Sequence, residues 1–156
     1  MTDLEIDLRG SLAYLSGHLN EKSDLSTLLA APPPLKLYLE AMIGMNSTGT
    51  RTFMRFIKDW GERALELHEC PSWFIDLVNV LPNFLGRDLT LKRVVSFFVP
   101  YVCKQCALET MQLIKLKEVK TSLRGIAAVP RRCETCMNPL AMKHDPNDFL
   151  LFVLHA

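Results

Sequence analysis

Met45-Asn46-Ser47-Thr48-Gly49 is the stretch on which the reading of this chain turns. Before it, Leu35, Leu37 and Leu39 alternate with Lys36, Tyr38 and Glu40, the period-two pattern of a strand with one face buried. After it, Phe53, Phe56, Ile57, Trp60 and Ala64 recur at helical spacing, with Arg51, Arg55, Lys58, Asp59, Glu62 and Arg63 elsewhere on the cylinder. The stretch therefore reads as a tight turn from a strand into a helix running from about Thr50 to Arg63. Ser47 and Thr48 then stand at a helix N-terminus, where unpaired N–H groups and the positive end of the dipole favour an oxygen acceptor or a phosphate. Gly49 lets the backbone come close. An ordinary N-cap is the plain structural meaning of these hydroxyls.

The flanks supply further elements in alternation. Leu4, Ile6 and Leu8 alternate with Asp3, Glu5, Asp7 and Arg9, a half-exposed strand. Gly10-Ser11 turns it, Leu12 to Ser16 pairs back as a hairpin, and Gly17 to Asn20 leaves the sheet. Ser23 or Asp24 caps a short helix carrying Leu25, Leu28 and Leu29, which Pro32, Pro33 and Pro34 end. Leu65 and Leu67 suggest another strand. Pro71 to Phe84 reads as a helix with Pro71 in its first turn and Trp73, Phe74, Leu77, Val78 and Leu81 inward. Strands and helices alternating in this order predict an α/β sheet with helices packed against it.

A hydrophobic strand, an Asx-Ser-Thr-Gly turn and an amphipathic helix, preceded by Gly17-His18-Leu19-Asn20 and a short first helix, resemble the STAS domain of sulfate transporters and anti-sigma-factor antagonists. The resemblance covers residues 1–100. It implies the STAS fold, and it places the family's phosphorylated hydroxyl on Ser47, with Thr48 the second choice. Asn46 stands where the family has Asp, and Thr50 and Arg51 stand where it has small apolar residues. The implied function is that of a non-enzymatic, bacterial-type regulator. Asn46, Ser47, Thr48, Gly49 and Arg51 would dock on a protein partner such as a serine kinase or anti-sigma factor. The alternative is a constitutive, zinc-stabilised interaction module with no switch.

From Val94 the pattern changes. Val94 to Val102 is nearly all apolar; then come Cys103-Lys104-Gln105-Cys106, a strand-like run from Thr110 to Val119, a loop with Gly125, and Cys133-Glu134-Thr135-Cys136. Two Cys-x-x-Cys pairs are the ligand pattern of a tetrahedral zinc site, each pair presenting two thiolates to one ion. Such a Zn2+ would be structural, because four sulfurs leave no open position for a water. A thioredoxin-type redox pair is the rival, but it needs a helix beginning on the cysteines, and Cys103-Cys106 leads towards a strand. Disulfides in an exported chain are a second rival. Residues 101–156 thus resemble a zinc ribbon closed by an apolar strand from Phe149 to Leu154, with Val94 to Val102 available to either sheet. His144 with Asp145 is a minor metal candidate, and Cys70 reads as a small buried hydrophobe.

Composition narrows the classes. The formal net charge is +1, which gives no sign of a nucleic-acid partner at the level of the whole chain. The stretch from Lys104 to Arg132 is locally basic and reads as a solvated face. No signal peptide or run long enough for a membrane span is visible, so the cytoplasm is the expected compartment. The histidines, His18, His68, His144 and His155, are scattered, and no nucleophile with an oriented base can be placed, so no enzyme activity is expected.

Overall fold

The first hairpin joins β1 (Glu5–Arg9) to β2 (Leu12–Leu19) through Gly10, whose φ of 63° is the left-handed conformation the turn requires. The computed structural model describes residues 2–154. Alternation sends Ala13, Leu15 and Leu19 of β2 into the core and leaves Tyr14 outside. The first half of β2 pairs in parallel with β3 (Leu35–Tyr38) and its second half with β4 (Met42–Met45). The expected single strand before the Ser47 turn is therefore two, and Gly17 to Leu19 stays in the sheet. Leu39 and Met42 are both buried although three residues apart, a spacing no straight strand provides; the turn between them is closed by the Met42 N–H on the Leu39 carbonyl at 3.0 Å.

β5 (Leu65–His68) adds in parallel to β3, so the sheet runs β1-β2-β3-β5 with β4 beside β2. A short α1 (Ser26–Leu29) follows β2, and Asp24 Oδ1 accepts from the Ser26 N–H at its entry. Helix α2 (Ser47–Trp60) buries Phe53, Phe56, Ile57 and Trp60 in the core. Helix α3 (Ser72–Val80) is shorter than its sequence pattern at both ends. Pro71 is its N-cap rather than a first-turn residue, and Leu81 is extended because Pro82 follows it. Its buried side chains are Phe74, Ile75 and Val78, while Trp73, Leu77 and Leu81 are partly buried against the same core. One further turn of helix, α4 (Thr90–Arg93), precedes the last long strands.

β6 (Ser96–Cys103) and β7 (Leu108–Lys115) form an antiparallel hairpin. β7 stops at Lys115 rather than Val119, where a 3-10 turn over Leu116–Glu118 takes over. A two-residue hairpin of β8 (Thr121–Ser122) and β9 (Gly125–Ile126) follows, and β10 (Ala141–Met142) completes a three-stranded sheet in the order β10-β6-β7. The start of β6 also continues the first sheet. Val95 N–H bonds the Leu67 carbonyl at 2.9 Å, Cys70 N–H the Ser96 carbonyl at 3.0 Å and Phe98 N–H the Cys70 carbonyl at 2.9 Å. The hydrophobic core accordingly runs without a break from Ala13 to Phe152.

Phe149 to Leu154 forms no strand. It is helical, as α5 (Pro146–Phe149) and α6 (Leu151–Leu154). Asp145 accepts from the Asn147 N–H and Pro146 opens the turn, a strong local start. The amide of Asn79 on α3 then donates to the Phe149 carbonyl and accepts from the Phe152 N–H, each at 2.8 Å. Phe149, Leu150 and Phe152 bury against the core from that pinned position. His155 lies outside the described residues. Among the described residues no helix is long and apolar enough to cross a membrane.

Candidate functional site

Two places carry chemistry, the turn at Ser47 and the cluster of cysteines. At the turn, the helix begins three residues earlier than its apolar stripe suggests, and Asn46 rather than a hydroxyl residue is the cap. Asn46 Oδ1 accepts from the Gly49 N–H at 2.8 Å, and the Thr50 hydroxyl donates to the Asn46 carbonyl at 3.0 Å. Asn46, Ser47 and Thr48 are exposed, and neither the Ser47 nor the Thr48 hydroxyl has a hydrogen-bond partner among the described residues. Gly49 by contrast is buried, because the start of α2 lies against the end of β2.

One contact of the turn carries no signal in the sequence. Asn46 Nδ2 donates to Glu21 Oε2 at 2.8 Å, which brings a carboxylate to the mouth of the turn. Backbone and Asn46 hydrogen bonds hold the Glu21 carboxyl below its usual range. Arg51 and Arg55 are exposed at successive turns of α2, beyond the unpaired Ser47. Among the described residues no histidine is hydrogen-bonded to Ser47: His68 Nε2 lies 3.2 Å from Glu66 Oε1, and His144 stacks on Phe149.

The cysteine cluster is built by two turns of like design at one end of the β10-β6-β7 sheet. The first turn leaves β6 at Cys103, and the Cys106 N–H points at Cys103 Sγ, 3.3 Å away. In the second, the Cys133 N–H bonds the Asn138 carbonyl and the Met137 N–H bonds the Cys133 carbonyl, both at 2.9 Å. Each pair is followed by a residue with positive φ, Ala107 at 55° and Met137 at 62°. That is the bend which turns both sulfurs of a pair inward, made here without glycine.

All four sulfurs, of Cys103, Cys106, Cys133 and Cys136, lie within 4.8 Å of one another. Cys103 and Cys136 are 3.5 Å apart and Cys106 and Cys133 are 4.0 Å apart, so the short distances link one turn to the other. A tetrahedron of sulfurs at about 2.3 Å from a metal has edges of about 3.8 Å. The cluster fits a metal ion. Its electrostatics agree: backbone N–H groups of Cys136 and Thr135 hold the Cys133 thiol down, and that of Asn138 draws Cys136 down to about 6. Cys106 is pushed up to about 12, chiefly by hydrogen bonding with Cys136. Thiolates this close ionise together only beside a cation. His144 and Asp145 take no part in the cluster. Cys70 is fully buried and its thiol is pushed up by burial, as an inert core residue.

Comparison with protein-family models, with curated proteins and with solved structures finds no match for this chain.

Proposed function

We propose that this protein is a non-enzymatic regulator of the anti-sigma-factor-antagonist kind, with a STAS-like sheet and a zinc-ribbon-like C-terminal part. It docks on a protein partner through the Asn46–Gly49 turn and the outward face of α2, and phosphorylation of Ser47 switches the contact. The observation that carries this reading is the free Ser47 hydroxyl beside a cap already supplied by Asn46. Ser47 has no structural duty to lose, so a modifying enzyme can use it without harm to the fold. A phosphoryl group there adds about −1.5 to −2 charges. The helix N-terminus and Arg51, one turn along, accommodate that charge, whereas a partner seated on the turn meets it directly.

Zn2+ is the metal best suited to four sulfur ligands, and Cys103, Cys106, Cys133 and Cys136 would hold it. With four thiolates bound it supplies cross-linking and no reactive water. Elemental analysis of purified protein tests this: one zinc per chain is expected, and loss of the metal on Cys136→Ser. A chain that carries no zinc, or another metal in preference, sinks the assignment.

The constitutive module is the second reading, and the Glu21 carboxylate favours it, since a phosphate on Ser47 would be introduced close to an existing negative charge. Affinity capture from the native host separates the two. Wild type, Ser47→Ala and Ser47→Asp serve as baits, each checked for folding. Retention of a kinase-like partner by Ser47→Ala and its loss by Ser47→Asp is expected. If all three retain the same proteins, the switch is wrong and the module reading stands.

A further inference from the structure

Away from both sites, a groove of about 680 Å³ is lined by α4, the end of β5, the start of β6 and the end of β7. Leu91, Leu113 and Leu116 are among its apolar lining residues, and the first two are each 38% exposed. Lys92, Lys115 and Lys117 also line it, and among the described residues none of their ammonium groups forms an ion pair with a carboxylate, although the Lys115 backbone N–H donates to Glu118 Oε2 at 2.9 Å. Glu69 is the one acid on the lining, so the three lysines outnumber it; burial and then the neighbouring Glu40 raise its pKa.

The chemistry narrows the occupant. Exposed leucines beside unpaired ammonium groups form a surface that is both apolar and electropositive, so its complement is apolar and acidic. The one aromatic residue on the lining is His68, whose ring already stacks on Tyr38, so the groove offers no platform for a run of stacked bases. A single fatty carboxylate would satisfy one lysine of the three. We propose that the groove binds an extended acidic peptide segment of a partner protein. Leucine-sized side chains would lodge between Leu91 and Leu113, and carboxylates would lie on Lys92, Lys115 and Lys117.

Fluorescence anisotropy of the full, metal-loaded chain tests this with a short fluorescein-labelled peptide of alternating glutamate and leucine. Saturable binding is expected. It should weaken at least tenfold, or about 1.4 kcal/mol, for Lys115→Glu, for Lys117→Glu and for Leu113→Ser. It should weaken likewise when lysine replaces the peptide's glutamates or serine its leucines. If Leu113→Ser unfolds, Leu91→Ser on α4 replaces it. Ser47→Asp should leave this binding unchanged, so its result stands apart from that of the phosphorylation switch. Absence of saturable binding, or equal binding to all three peptides, overturns the proposal. So does self-association that Leu113→Ser abolishes, which would make a second copy the occupant.

Discussion

Gly49 has no room for a side chain: a Cβ there would stand 2.0 Å from the Leu19 carbonyl oxygen, a backbone atom that cannot swing aside. Gly49→Ala should cost about 3 kcal/mol in urea unfolding, at the upper end of overpacking. Gly44→Ala is the control, since its nearest neighbours are His18 ring atoms at an ordinary 3.5 Å, and it should be near neutral. Asn46→Ala should cost about 1 kcal/mol as a lost cap. Asn46→Asp keeps the acceptor for Gly49 but sets a second carboxylate against Glu21, so it should be less stable than wild type. Adding Glu21→Gln should restore it; no recovery in that double variant would count against the contact. Glu69 has the opposite relation to pH from a paired acid. Its folded pKa is raised, so its contribution is fully present below the unfolded carboxylate range and is lost as pH rises through the folded value. Glu69→Gln should therefore raise the urea midpoint at neutral pH and leave it unchanged well below the carboxylate range.

Between elements, the decisive group is Arg93 at the end of α4. It is 2% exposed, yet no carboxylate among the described residues pairs with it. Its guanidinium donates to the Leu85 carbonyl at 2.7 Å and to the Gly61 and Arg63 carbonyls, which gathers the end of α2, the loop after it and the loop before α4. Burial lowers its pKa. Arg93→Ala would leave buried carbonyls without donors as well as a cavity, and should cost about 3 kcal/mol. Arg93→Lys should recover only part, because one ammonium cannot span the same carbonyls. Equal stability of the lysine variant and wild type would show that charge, not the planar fork, holds the junction.

For the whole molecule, β6 is common to the sheet that leads into the Ser47 turn and to the sheet at whose end the cysteines cluster, and one core joins them. Metal removal should therefore be felt far from the sulfurs. Trp60 on α2 and Trp73 on α3 report from helices outside the cysteine turns. Treatment with a strong zinc chelator should lower the midpoint of the tryptophan fluorescence melt and keep a single transition. An unchanged tryptophan midpoint would mean that the cysteine turns unfold by themselves.

Local pattern was enough for much of this. Alternation of leucines placed β3 and β5, the Phe53 to Trp60 stripe placed α2, and the spacing within each Cys-x-x-Cys pair placed two sulfurs side by side, because each of these is decided within one turn or one pleat. Tertiary structure decided what depends on distant neighbours. Phe149 to Leu154 is apolar enough for a strand, and it became helical where Asn79 and the core received it. The strand before Ser47 divided because β2 offers β3 and β4 separate lengths of edge. Asn46 displaced the hydroxyls as cap while its amide found Glu21, a partner on another segment. Periodicity records which face of an element is apolar; it holds no information on which remote group completes a hydrogen bond, and those groups set the chemistry of the turn.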